Sequence, residues 1–372
     1  MALSQLNIHA VRNLQEIKLR GLGRVNVFYG ANGSGKTSVL EAVHLLGMAR
    51  SFRSTSARTL ITHGQSSCTV FGQVDSRTKG EGAGVSLGIQ RQLSGEATIK
   101  IGGTPARAVS ELIDHLPLLL INAGSFDLLN GPPRTRRQYL DWGVFHVEQS
   151  FFGQWQRYQR CIKQRNNLLR RDKIPETEVT SWTRDLVASG TAIDGFRRTY
   201  FKQLAPCFKS IMASLAPELK DLELRYRRGW DKTLSLEEAL ANSYSADSER
   251  GYTHIGPQRA DMRVTVEGYS AADTLSRGQQ KLLVCGLKLA QGRLMASSGL
   301  EKCVYLVDDL PSELDSQHSE LIAQELEGMG AQVFITCVNR QDIETVWPAP
   351  AGLTMFHVEH GEIAPVIAGE PQ

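Results

Sequence analysis

The octapeptide GANGSGKT, Gly30 to Thr37, constrains this chain more than any other stretch. It satisfies G-x-x-x-x-G-K-[ST], and it lies between a segment that reads as a strand (GRVNVFYG) and one that reads as a helix (TSVLEAVHLLGMA). Phosphate binding needs that context. Glycines let the backbone N–H groups of Asn32, Gly33, Ser34, Gly35, Lys36 and Thr37 turn inward around phosphate oxygens, and the helix N-terminus adds partial positive charge. Lys36 is placed to reach the β- and γ-phosphates, and the Thr37 hydroxyl to ligate Mg²⁺. Gly30, Ala31 and Ser38 complete the candidate loop.

A loop of this kind needs a second oxygen ligand for its magnesium. The run CVYLVDD supplies one: Asp308 follows an apolar strand and projects at its carboxyl end, where α/β sheets place ligands. Asp309, next in line, is the candidate general base for an attacking water. Acids also end strands simply because strands end at the surface. The upstream phosphate loop decides between the two readings.

Nothing in the composition conflicts with this. Hydrophobic residues make up 41% and charged residues 22%, the balance of an ordinary globular chain. No apolar run reaches the ~18 residues of a membrane span, and the N-terminus has no apolar signal core, so a cytoplasmic protein with no membrane partner is expected. The six Cys are scattered singly, which argues against zinc and for reduced thiols. A net charge of +3 does not by itself identify a nucleic-acid binder, so any such claim rests on local distribution.

Along the chain, residues 1–125 read as strands and turns, with SCTVFGQV, GVSLGIQ and ATIKIGG forming an antiparallel layer and SRTKGEGAG a turn between strands. Residues 126–255 change character. From about Pro133 to Gly229 they are Arg-, Gln- and Leu-rich with helical periodicity, and Trp155, Tyr158, Ile162 and Leu169 can share a stripe beside Arg157, Arg160, Lys163 and Arg165. Residues 256–372 return to strand–helix–strand alternation. The fold class expected is α/β: a discontinuous lobe of 1–125 with 256–372, carrying a mixed sheet and flanking helices, with a mainly helical lobe, 126–255, inserted. No heptads run far enough for a long coiled coil.

The remaining motif is TLSRGQQ, residues 274–280. Alone it reads as a helix N-cap with Ser276 as the cap. Together with the phosphate loop, YLVDD and SELD, it resembles the signature of ABC-type ATPases. In that superfamily two heads pack in opposition, and each signature caps the γ-phosphate held by the other. The resemblance assigns this role to Ser276, Gly278 and Gln279, and a D-loop role to Asp315. Further blocks, LNIHAVRNL, YGANGSGKTSVLEAVHLLGMARSFR, GPPRTRRQYLDWGVFHVE and THIGPQRADMRV, extend the match over essentially the whole chain and resemble the RecF family of bacterial DNA recombination and repair ATPases. Departures are Asp309 where ABC-type ATPases usually carry Glu, Gln258 where the family usually has His, and Ala123 and Gly124 in the Q-loop region. Thr336, Cys337 and Asn339 stand where a switch His is expected, and Arg277 where transporters have Gly.

The resemblance implies ATP and Mg²⁺ as cofactors, and an ATP-dependent homodimer on duplex or gapped DNA with slow, DNA-stimulated hydrolysis. It also implies RecR, RecO and RecA as pathway partners. Residues 134–230 support DNA with nineteen Lys/Arg against ten Asp/Glu, although a solvated Arg-rich face explains the same count. A transporter or SMC-like head is the competing class; DNA-stimulated turnover separates it. A nucleotide-binding module without turnover is the third.

Overall fold

The helix that follows the phosphate loop, Lys36–Met48, is buried on nearly every side. Its sequence explains why: Val39, Leu40, Ala42, Val43, Leu45 and Leu46 leave no continuous polar face, so it can only be a core helix. It packs against strands of two sheets, which together form the first of two units, Met1–Ser125 with Lys281–Gln372. The computed structural model describes residues 2–75, 84–171, 176–299, 303–309, 314–347 and 352–366. The turn expected in SRTKGEGAG lies mostly outside them.

One sheet is antiparallel, in the order β2-β1-β4-β5-β6-β7: β1 (Ala2–Val11), β2 (Leu14–Arg20), β4 (Ser67–Asp75), β5 (Val85–Gln92), β6 (Ala97–Ile101) and β7 (Thr104–Pro105). Its alternating burial is what the period-2 pattern predicts for a sheet with one face on a core. The other has the order β15-β14-β3-β13-β12-β8. Here β8 (Leu118–Ile121), β12 (Val304–Val307), β13 (Gln332–Cys337), β3 (Val25–Tyr29) and β14 (Leu353–Glu359) run parallel, and β15 (Glu362–Val366) closes the edge as an antiparallel hairpin. β3, β12 and β13 are buried throughout, as continuous apolar runs in a covered parallel sheet should be. Phe28 stacks on Phe356 and Phe334 from the flanking strands, with centroids at 4.9 and 6.4 Å. The expected mixed sheet is present, and Cys303 and Cys337 are buried free thiols beside or in its strands.

The second unit, Phe126–Gln280, is built on helices Pro133–Val147, Phe151–Leu169 and Glu176–Leu215. The sequence drew its far boundary at 255; the structure draws it at 280. Strand pairing is the reason. β10 (Asp261–Val266) lies antiparallel between β9 (Leu222–Arg227) and β11 (Tyr269–Ser270), with Met262 opposite Tyr226, so residues 256–280 stay with the inserted unit. A local run of α/β character is not proof of belonging to the α/β lobe.

Burial also sorts the arginines. Arg165, expected beside the apolar stripe, is instead 1% exposed and donates to Asp247, itself 0% exposed, at 2.8 Å. Arg197 grips Asp141 through two bonds of 2.7 and 2.8 Å, Arg136 pairs with Asp261 at 2.7 Å, and Arg137 donates to the Ala260 carbonyl. These are internal struts. Breaking one by removing a single partner costs roughly 3–5 kcal/mol. No helix among the described residues is long and apolar enough to cross a membrane.

Candidate functional site

The parallel strand order brings three carboxyl ends side by side: β3, which runs into the phosphate loop, then β13, then β12. Gly30 leaves β3 with its N–H donating to the Val338 carbonyl at 3.2 Å, and a Cβ there would sit 2.2 Å from the Val358 carbonyl oxygen. Gly35 has φ +123° immediately before the helix begins. Only glycine fits both positions. The first is closed by a neighbouring strand and the second by backbone conformation.

Within the loop, Lys36 folds back so that Nζ donates to the Gly30 and Ala31 carbonyls at 2.7 and 2.9 Å. Burial pushes its pKa down, opposed by the nearby Asp309, Cys337 and Asp308. A buried ammonium ion gains from an anion, and phosphate is the anion such a loop takes. Among the described residues the buried Ser34 hydroxyl has no hydrogen-bond partner, which makes it a second group suited to a phosphate oxygen.

Asp308 emerges from β12, where its N–H donates to the Ile121 carbonyl at 2.9 Å. Its Oδ1 accepts from Thr37 Oγ1 at 2.9 Å and from Thr336 Oγ1 at 2.8 Å. Thr37 and Asp308, 271 residues apart, therefore converge as two hard oxygen donors, the pairing Mg²⁺ takes from protein when phosphates and water supply the rest. Asp309 adopts φ +56°, a left-handed conformation that Asp tolerates better than most residues, and its N–H donates to Thr336 Oγ1 at 2.9 Å. Thr336 thus bridges both acids. The sequence showed only that it stood where a switch His was expected; its position on β13, between the other two strands, gives it this role.

These residues line one cleft of about 700 Å³. Asn32, Gly33, Gly35, Lys36, Thr37 and Ser38 form one wall, and Asp308, Asp309 and Thr336 form another. Sequence reasoning missed three further contributors. Asn13 accepts from Ser38 Oγ and donates to the Ser34 carbonyl, both at 2.9 Å, which pins the loop. Arg12 and Arg53 also line the cleft, and Arg12 is held by two bonds of 2.8 Å to Glu41, a carboxylate 0% exposed. The available signal was a fully buried Glu on an otherwise apolar helix, which demands a cationic partner. Thr336→Val keeps the shape of that side chain but removes both bonds to the acids. Nucleotide affinity should stay within several-fold while single-turnover hydrolysis falls at least ~10-fold, on the loss of two hydrogen bonds at charged or buried groups.

The signature lies apart in sequence and belongs to the second unit. Ser276 and Gln279 form a reciprocal cap: the Gln279 N–H donates to Ser276 Oγ at 3.3 Å, and the Ser276 N–H donates to Gln279 Oε1 at 3.1 Å. This matches the plain capping reading. It also uses only the acceptor capacity of both side chains. The Ser276 O–H, the Gln279 amide N–H groups and the first backbone N–H groups of helix Arg277–Ser297 remain as donors at an exposed helix N-terminus. Gln280 does something else. Its Nε2 donates to the Ala272 and Leu275 carbonyls at 3.0 and 2.9 Å, and its Oε1 accepts from Asn130 Nδ2 at 2.9 Å. It is buried, and it ties the loop before the signature to helix Asp127–Asn130.

Asp315 is not among the residues lining the cleft. It is the N-cap of helix Ser316–Gly328 and accepts from the His318 N–H at 2.9 Å, which draws its pKa down together with the His318 side chain. Of SELD, Ser312 and Glu313 lie outside the described residues. His357 lies on β14 against Tyr29, with ring centroids 5.2 Å apart.

The profile of the RecF/RecN/SMC N terminal domain matches residues 2–363. The DNA replication and repair protein RecF of Pseudomonas aeruginosa (strain LESB58) is 50% identical over 364 residues, covering 98% of each chain. A solved structure of the recombination mediator protein RecF with ATP, in the RecFOR pathway, superposes with TM-score 0.86 at 25% identity, covering 98% of this chain and 99% of that one. An Smc head with an extended coiled coil from Pyrococcus furiosus shares the fold at TM-score 0.60 and 14% identity, over 98% of this chain and 95% of that one.

Proposed function

Since the chain belongs to the RecF family of DNA replication and repair proteins, we propose that it is an ATP-gated clamp on DNA whose nucleotide site is completed by a second copy. One copy holds ATP through the phosphate loop, with Lys36 on the β/γ-phosphates. Thr37 and Asp308 would hold Mg²⁺, which would supply charge neutralisation on the transferring phosphoryl group. The other copy presents Ser276, Gly278 and Gln279 to the same γ-phosphate, and Asp315 precedes the helix that follows the crossing loop.

Asp309 accepts the proton of the attacking water as its oxygen closes on the γ-phosphorus and the bond to the β,γ-bridging oxygen breaks. Its carboxylate is one methylene shorter than a glutamate, so turnover is slow. Hydrolysis opens the dimer and releases DNA, which makes ATP a timer. On duplex or gapped DNA the ATP-bound dimer works with RecR and RecO toward loading RecA.

The observation that carries this reading is Gly278. It is exposed, its backbone is outside the left-handed region, and a Cβ built on it would meet nothing within 4 Å. Among the described residues nothing requires glycine there, although glycine in a helix costs about 0.5–1 kcal/mol relative to alanine. A close approach from outside does require it. The test is mass in solution at saturating ATP and Mg²⁺ against nucleotide-free protein. A monomer under both conditions sinks the dimer.

Gln280→Leu tests how the signature is held. It leaves the cap residues and the phosphate loop in place but frees the Ala272 and Leu275 carbonyls and Asn130. ATP affinity should be unchanged while the ATP-dependent dimer weakens at least ~10-fold, the scale of one or two buried hydrogen bonds. Sedimentation with and without ATP reads this directly.

A further inference from the structure

Resting on the DNA reading above, we propose that the exposed face of helix Glu176–Leu215 in the second unit is a phosphate-backbone track for nucleic acid. The helix has 40 residues. Arg184, Arg198, Lys202 and Lys209 are all exposed on it. At an ideal 3.6 residues per turn they fall within about 40° of one another over roughly 38 Å, with Pro206, inside the helix, lying between Lys202 and Lys209. Thr191 and Gly195 lie on the same stripe between them and leave it low.

No exposed acid interrupts the line. Beyond residue 185 the helix has a single acid, Asp194, which is 4% exposed at its side chain and accepts from Tyr226 Oη at 3.1 Å. Asp185, beside Arg184, pairs with Arg157 at 2.9 Å. Elsewhere in the unit the buried struts consume acids inward: Asp141, Asp247 and Asp261 are held by Arg197, Arg165 and Arg136. Each strut also takes an arginine inward, so the positive surface of this unit rests on the exposed cations of the helix face rather than on the overall count.

β9 extends this surface. It packs on the helix through Tyr226, whose ring meets Phe201 at 5.7 Å; its Arg227 faces solvent, and Arg225, also exposed, is paired with the exposed Glu223 at 2.7 Å. Just beyond, the Arg228 guanidinium lies 3.9 Å over the Trp230 ring. Arg228 Nε is 3.4 Å from Asp194 without a hydrogen bond, and both it and Trp230 Nε1 are buried donors with no acceptor among the described residues. A row of cations with spare donors at one margin suits a ligand whose negative charge repeats along a line. A nucleic-acid strand carries one phosphate per ~3.4 Å. Base reading is not part of this surface, because it meets its ligand through charge alone.

The test uses the full chain with two variants. The first is Arg184→Gln, Arg198→Gln, Lys202→Gln and Lys209→Gln together. The second, Lys202→Gln with Lys209→Gln, spares Arg198, which neighbours Asp194 at 4.0 Å. Binding to gapped duplex with ATP is measured across a salt series, with ATP-dependent mass measured in parallel. The dimer should persist in both variants. Affinity near physiological salt should fall at least ~10-fold in the quadruple variant, and the log–log salt slope should become shallower by about 0.9 for each phosphate that is no longer neutralised. An unchanged slope and affinity in both variants overturns the track and leaves the face to an acidic protein partner. A wild-type chain that binds no DNA at all overturns the DNA reading and the track together.

Discussion

Lys36→Ala is expected to weaken ATP binding roughly 10–150-fold, because it removes a charge-assisted contact worth about 1.5–3 kcal/mol. In the structure the ammonium ion is held by the Gly30 and Ala31 carbonyls and is partly desolvated, with its pKa lowered by burial. Phosphate oxygens would restore the anionic surroundings the ion lacks, so binding should also raise that pKa. Thermal unfolding with and without ATP gives an independent readout. Saturating ligand at about 100 times Kd stabilises the wild type by ~2.7 kcal/mol, a rise of about 5–11 °C for a domain of moderate size, and the variant at the same concentration should show far less. The alanine variant without nucleotide should melt close to the wild type, since the lysine's charge is penalised by burial in the folded state. Retention of ATP-induced stabilisation in Lys36→Ala would mean that the cleft is not the nucleotide site.

The parts of the site that were legible in the sequence are those whose chemistry is local. The phosphate loop needs consecutive residues, so GANGSGKT states its own function. Asp308 needs only an apolar strand ahead of it, and the parallel register of β12 with β13 and β8 puts it where that pattern implies. Thr336 was not legible as a bridge, because its two partners arrive from β12 and its value depends on β13 lying between β12 and β3. Strand order is a long-range property. Arg134, Arg136 and Arg137 count toward the basic excess of residues 134–230, yet Arg136 and Arg137 face β10 from helix Pro133–Val147, and the acid that meets Arg136 is 125 residues away. Charge counts do not distinguish a strut from a surface cation. The boundary at 280 was missed for a related reason: β10 has the alternation of any half-buried strand, and only its partner β9 says which unit it joins.

Gly278→Ala should leave the isolated chain as stable as the wild type or slightly more so, and should still cost it the ATP-dependent dimer. The first half follows from geometry. The position is in the first turn of helix Arg277–Ser297, open on all sides within 4 Å, where alanine is favoured over glycine by about 0.5–1 kcal/mol. The second half follows only if another molecule's phosphate comes up against that backbone. Ser276→Arg should act more strongly, because it removes the outward hydroxyl and puts a long side chain in the same approach: ATP binding is retained, while dimerisation and hydrolysis fall by ~100-fold or more, the usual scale for losing a transition-state donor. The decisive measurement mixes the two inactive chains, Lys36→Ala and Ser276→Arg. A mixed dimer rebuilds one intact site, with Lys36 from one chain and Ser276 from the other, so hydrolysis should reappear on mixing. Sites confined to single chains predict no recovery. That outcome, or normal turnover in Ser276→Arg alone, would return TLSRGQQ to being a helix cap.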